Sequence, residues 1–417
     1  MFFWHIIKWL QIASVVGYWY LRHEKPVFYR KTLQRLRQEN ILFTKIFQAL
    51  ANTTNLELDT VLRNELRPYT TNASYTESEI NYEAIDTVEE TYGVLIDRHV
   101  ANSGMIALIF NGTDSSGNPI ILKLKRNDIY NRLKTGCDDT SELYRWIAYW
   151  TPKNIIIRAL LPFFYNLDEI LEQCDFNREI RNMLDAREDY AELGFIHIPE
   201  PLNNPATPNT EFILMNRIEG THSLPPSTTE EERLVFLFKF CLFASFSYVS
   251  NAILHVDLHA GNMIFMPNGD IGVIDFGLAI RFSDDEHDMM LTIAEIVRGS
   301  TAIEDVELID TFKNMFLPPL LSEEISDREQ FLQLARNIFQ NVKDYVNADE
   351  LNLIDNIDKL GAFMNREITM IPNLYKFILG MMCMGQLYSI MGRVYEDADI
   401  LRNIEMRALN QAFMMVV

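Results

Sequence analysis

The stretch from His255 to Gly277 constrains this chain more than any other. Two apolar runs, Met263 to Met266 and Ile271 to Ile274, flank Pro267-Asn268-Gly269-Asp270. An Asn-Gly pair between apolar runs is a strong short-range signal for a β-hairpin, because a tight turn needs the positive φ that these residues tolerate. The hairpin carries Asn262 at its start and Asp275 at its end. Two residues thirteen positions apart are therefore expected side by side.

What stands at those ends is chemically informative. Asp257 precedes Asn262 by five residues, and Asp275-Phe276-Gly277 follows the second strand. Asp and Asn side chains offer hard oxygen ligands suited to magnesium, and an Asp, an Asn and an Asp-Phe-Gly around one hairpin is the arrangement by which kinase-like enzymes hold metal and phosphate. The plainer alternative is that Asp257 and Asn262 cap a turn while Asp275 ends a strand. The required strand context favours the chemical reading. Such a site also needs a cation on the nucleotide phosphates. Ile120 to Lys125 is a β-run in which Lys123 and Lys125 share a face, and Glu179 lies on the helix that follows.

Elsewhere the pattern divides the chain into regions. Residues 31–67 are helical in period, with a break at 52–55, and Pro68 closes them. A polar loop follows, then a short acidic helix from Glu79 to Tyr92. Three strands are expected at Gly93 to Val100, Met105 to Phe110 and Pro119 to Lys125. Helices are expected at 141–150, 167–191 and 230–251, and strands at 196–201 and 211–218. Met215 and Arg217 would end the second of these where a kinase-like hinge meets adenine, or simply end a strand. Everything after Ile280 reads as helix, and the methionine-rich run around Met381 to Met391 reads as a core face, with a lipid-facing surface as the alternative.

Composition excludes several classes. At 417 residues the chain exceeds what one core usually serves. A formal charge of −21 opposes non-specific binding to nucleic acid. Cys137, Cys174, Cys241 and Cys383 are scattered without metal-ligand or disulfide spacing, which fits a reducing, intracellular compartment. His255 and His259 lack a second metal-ligating neighbour and are expected to brace the loop by hydrogen bonds. Residues 1–21 are apolar but interrupted by His5, Lys8, Gln11 and Ser14. Three readings stay open there: a helix packed on its own protein, one lying on a membrane surface, or a span.

The motifs resemble the UbiB/ADCK kinase-like family, also called aarF-domain or ABC1-type atypical kinases. His255, Asp257, His259, Gly261 and Asn262 look like its His-x-Asp-x-His-x-Gly-Asn, followed by Asp275-Phe276-Gly277. Ile121 to Arg126 is similar to its Val-Ala-Val-Lys-Val-Gln-Arg strand, which selects Lys123 over Lys125. Asp175 to Asn182 is similar to its Asp-Tyr-x-x-Glu-Ala-x-Asn helix, which selects Glu179. Lys45 and Gln48 match the N-terminal Lys-x-Gly-Gln, with Phe47 in place of glycine. Gln173 stands for the acid of the Glu-x-Asp element, with Glu172 adjacent. Val100 to Gly104 loosely matches the Ala-rich nucleotide loop, with one glycine rather than three.

The resemblance implies an α+β, two-lobed protein-kinase-like fold. Its parts would be an N-terminal apolar segment (1–30), a helical extension (31–92), a small mixed lobe (93–220) and a large helical lobe (221–417). It implies ATP and magnesium as cofactors, with Asp257, Lys123 and Glu179 catalytic and Lys123, Ala101, Ser103, Met215 and Arg217 on the nucleotide. Asn262 and Asp275 would hold metal, and Lys45 and Gln48 would regulate. No Ala-Pro-Glu segment follows Gly277, so a peptide platform is missing, and the resemblance implies a small-molecule or isoprenoid-lipid partner. A scaffold without chemistry and a conventional protein kinase are the alternatives.

Overall fold

The computed structural model describes residues 2–52, 59–66, 75–150, 167–203, 211–288 and 398–416, together with short pieces and single positions elsewhere. The chain divides into two compact units. One comprises Met1–Ile180 with Pro201–Arg217, the other Arg181–Glu200 with Ile218–Val417.

In the first unit, helices α1 (Phe2–Arg22), α2 (Lys25–Glu39), α3 (Phe43–Asn52) and α4 (Thr60–Leu66) precede any long strand. Their apolar faces meet in a small core of Leu33, Phe43, Ile46, Phe47 and Leu66, with Trp9 against Phe43. Phe47, which departs from the family's glycine, is only 3% exposed and packs on Phe43 and Tyr69. Its bulk is therefore used as core. Ile12 is buried, and Lys8 pairs with Glu39 and Asp139, so α1 packs on its own protein. Among the described residues no helix is long and apolar enough to cross a membrane, which removes the spanning reading of residues 1–21. The polar interruptions that end the apolar run are the reason.

After α5 (Tyr82–Tyr92) come β1 (Leu95–Ser103), β2 (Ala107–Thr113) and β3 (Pro119–Lys125), which form an antiparallel sheet in the order β1-β2-β3-β5 with the later strand Phe212–Asn216. Alternation along β3 sends Ile120, Leu122 and Leu124 into a core with Ile85 and Val88 of α5. Lys123 is left on the opposite face. Helices α6 (Ile129–Trp150), α7 (Leu167–Glu172) and α8 (Phe176–Asp189) follow, so the single helix expected over 167–191 is broken at 173–175. There the Cys174 and Asp175 N–H groups donate to the carbonyls three residues back, and the Asp175 carboxylate accepts from Asn177 N–H, as a cap does.

In the second unit, β4 (Ile196–His197) runs parallel to β8 (Ile271–Val273), which pairs antiparallel with β7 (Met263–Phe265). The long helix α9 (Glu230–Val249) and the C-terminal α10 (Ala398–Val416) pack along each other. Strands β6 (Leu254–His255) and β9 (Ala279–Ile280) pair, as do β10 (Phe316–Leu317) and β11 (Thr369–Met370). Residues beyond Ile280 are thus not helical throughout, and two-residue strands are too short to leave a period of two in the sequence. The hairpin between β7 and β8 forms, but its turn is longer than an Asn-Gly pair implies. Gly269 N–H donates to the Met266 carbonyl and Met266 N–H to Asp270, with only Gly269 at positive φ, +82°. This is a type I turn closed by a left-handed glycine.

Candidate active site

Lys123 and Glu179 meet inside the first unit. β3 presents the lysine and the first turn of α8 presents the glutamate. Lys123 Nζ donates to Glu179 Oε1 at 2.7 Å and Oε2 at 2.9 Å, with the side chains 10% and 2% exposed. The Phe176 ring lies 5.7 Å from the same ammonium. Lys125, its rival on the same strand face, instead pairs with Glu211 at 3.4 Å. A buried, doubly bonded pair leaves the ammonium fixed in direction, which is what a phosphate-holding cation requires.

Asp257, Asn262 and Asp275 belong to the second unit, where backbone bonds draw them into one loop cluster. Asn262 Nδ2 donates to the Asp257 carbonyl at 2.9 Å, and Ile274 N–H donates to the Asn262 carbonyl at 3.0 Å. His259 Nδ1 accepts from Gly261 N–H at 3.0 Å, which shapes the turn leading to Asn262. His255 Nε2 donates to the Ile274 carbonyl at 3.0 Å, and its ring meets Phe276 edge-on at 5.0 Å. Both histidines brace the loop. Burial holds the His255 imidazole below its usual range, and its buried Nδ1 has no hydrogen-bond partner among the described residues, so a second N–H there would find no acceptor among them. Asp275 adopts φ +66° and is exposed.

The donor set fits a magnesium ion. The bond from Asn262 Nδ2 to the Asp257 carbonyl occupies the nitrogen end of the amide, so its oxygen, the harder donor, is the end that would serve a cation, and Asp275 would add a carboxylate. Among the described residues no three His, Cys, Asp or Glu side chains converge as an all-protein metal cage. Magnesium with nucleotide usually takes one or two side-chain oxygens and completes its shell with phosphates and water.

The residues expected on the nucleotide fare unevenly. β1 runs on through Ser103, past the end at Val100 that its sequence suggests. Ala101 sits at a bulge, since Val100 faces Phe110 while Asn102 faces Ile109, and it is exposed. Ser103 is a correction. It is 1% exposed, its hydroxyl donates to the Ala73 carbonyl and accepts from Arg126 Nη2 at 2.6 Å, and its N–H and C=O bond Asn102 and Ala73. Every polar group of Ser103 is committed within the unit. Arg217 N–H donates to Pro119, and Met215 lies between Ile121 of β3 and Pro201. Lys45 and Gln48 lie on α3, but their side chains are outside the described residues.

Sequence reasoning passed over Arg126. It is 1% exposed and joins Glu79, Ala73, Ser103 and Gly104, tying the segment before α5 to the end of β1. Its place at the end of an Ile-Leu-Lys-Leu-Lys run matched the arginine of the family's strand motif but gave it no role. Glu172, beside Gln173, pairs with Arg178.

The sheet, the Lys–Glu pair and the Asp/Asn/Asp-Phe-Gly hairpin together define an α+β fold of the protein-kinase-like type. The ABC1 atypical kinase-like domain matches residues 62–302, and the chain belongs to that family. Among solved structures, the erythromycin complex of Rv3197 from Mycobacterium tuberculosis is similar at 16% identity, over 75% of this chain and 82% of that one, with a TM-score of 0.44. No curated protein matches the chain.

Proposed function

We propose that this chain is an atypical kinase or ATPase that uses magnesium-ATP. The observation that carries the reading is the loop cluster in which Asn262 is bonded to the Asp257 carbonyl and to Ile274, the residue before Asp275. In it Asp257 positions the attacking oxygen, whether of water or of an acceptor hydroxyl. Asn262 and Asp275 hold the cation, and Lys123, steered by Glu179, holds the nucleotide phosphates. Magnesium, when bound, supplies charge neutralisation at the phosphate oxygens. Protein substrates are disfavoured because no Ala-Pro-Glu segment follows Gly277, and the ABC1-type family makes a small-molecule or isoprenoid-lipid acceptor or regulator the preferred alternative.

Thermal shift and ATP turnover of the purified chain, with magnesium and with chelator, test this. Asp275→Asn removes a charge from a hard cation site and is expected to weaken magnesium-ATP binding by about 1–3 kcal/mol. An unchanged magnesium-ATP shift in that variant overturns the assignment. Rapid labelling of a generic protein, insensitive to isoprenoid lipid, replaces it with a conventional protein kinase.

A further inference from the structure

The backbone at Asp275 is unusual in a way that has an assignable support. Its φ of +66° lies in the left-handed region, which residues with a side chain adopt uncommonly and keep only where their surroundings hold it. Those surroundings are visible on both sides. Before Asp275, Ile274 donates to the Asn262 carbonyl and accepts from His255 Nε2. After it, the Phe276 ring is fully buried and the Phe276 carbonyl accepts from Asn182 Nδ2 at 2.9 Å. The acceptor is a carbonyl, so the Asn182 amide must present its nitrogen. Asp275 leaves the left-handed region only by rotation about its own N–Cα bond, and because His255 holds the Ile274–Asp275 peptide through the Ile274 carbonyl, that rotation swings the chain onward through Phe276. The peptide on the far side of Phe276 carries the carbonyl that Asn182 grips, so a rearrangement through Phe276 breaks that bond. Of these supports, His255 and Asn262 come from the loop and hairpin themselves. Asn182 comes from α8, 94 residues earlier.

We propose that Asn182 is a positioning residue for Asp275: by holding the Phe276 carbonyl it stabilises the left-handed backbone that aims the Asp275 carboxylate, and so sets the affinity for the divalent cation. This rests on the reading of Asp275 as a cation ligand. Asn182 touches neither cation nor nucleotide in this account. Its role is to make the Asp275 conformation the resting one, so that binding does not have to select it.

The test is a magnesium titration, read as the magnesium concentration giving half of the ATP-induced thermal shift, for the full chain and for Asn182→Asp, Asn182→Ala and Asp275→Ala. Asn182→Asp keeps the shape but turns a carboxylate oxygen toward the carbonyl, and Asn182→Ala removes the donor without adding a charge. Both are expected to raise the midpoint, by on the order of fivefold for Asn182→Ala, the value of one neutral hydrogen bond, and by more for Asn182→Asp. The melting temperature without metal or nucleotide should stay near that of the unaltered chain, since Asn182 is only half-buried. Midpoints unchanged in both Asn182 variants, while Asp275→Ala moves its own, overturn the inference and leave the cation reading standing. A lowered metal-free melting temperature with an unchanged midpoint also overturns it, as a merely structural bond would behave that way. If Asp275→Ala leaves the midpoint unchanged, the cation reading and this inference fall together.

Discussion

At the scale of residues, Lys123 and Glu179 illustrate how burial converts a pair of charges into a constraint. With so little water around either group, removing one leaves the other desolvated and unpaired. Lys123→Met is therefore expected to lower unfolding stability by about 3–5 kcal/mol in urea denaturation, and Lys123→Met with Glu179→Leu to recover much of that loss. A single variant as stable as the unaltered chain would show that the pair is solvated. His255 gives a pH dependence of definite sign. Burial depresses its folded-state value, so in the unfolded chain the imidazole takes up a proton first. Its stabilising contribution is present above the ordinary histidine value of about 6.5 and is lost as pH falls below it. Urea midpoints measured from pH 7.5 down to about 5.5 should decline, and His255→Gln, which keeps a donor but cannot titrate, should flatten that slope. An identical slope in the variant would assign the decline to other groups.

At the scale of elements, α9 is an instance where local sequence and structure agree. Thr229 and Glu232 form a reciprocal capping box, and Glu230, Glu231 and Glu232 place negative charge on the first turn. Those carboxylates complement the positive end of the helix dipole. Thr229→Ala should cost about 1 kcal/mol in denaturant unfolding, and Thr229→Ser much less. Equal stability of the Ala variant would mean that packing along α10 alone sustains the helix. The hairpin of β7 and β8 shows the opposite balance. Its existence was legible from Asn268-Gly269, but the turn took a longer form because Met266 and Asp270 bond each other, and Asp270 is held by Lys239 and His197 from other elements.

At the scale of the whole molecule, α1 combines inward and outward apolar groups. Ile12 and Lys8 bind it to its own unit, while Leu10, Tyr18, Tyr20 and Leu21 are exposed. With a net charge of −21, any attraction to a lipid surface has to come from such apolar area, because anionic headgroups repel the chain over roughly 8 Å in physiological salt. The full chain is expected to co-sediment with neutral vesicles more than a chain beginning at Glu24, and anionic vesicles should improve neither. Equal partition of the two chains would return α1 to a purely internal role.

The chain's own sequence was sufficient for whatever depends on neighbours along the backbone. The hairpin, the Asp257, Asn262 and Asp275 spacing and the alternation that puts Lys123 opposite the α5-facing core all follow from periods of two and from turn chemistry. The Lys123–Glu179 pairing, 56 residues apart, was legible only through resemblance to a family, because nothing local marks two charges as partners. Three outcomes needed the tertiary structure. Ser103 was expected on the nucleotide and is instead consumed by Arg126 and Ala73, Phe47 became core, and Asn182 found a carbonyl 94 residues away. Hydrogen-bond partners of buried polar groups are decided by which segments arrive beside them. That arrival is a property of the folded packing, on which composition and periodicity carry no information.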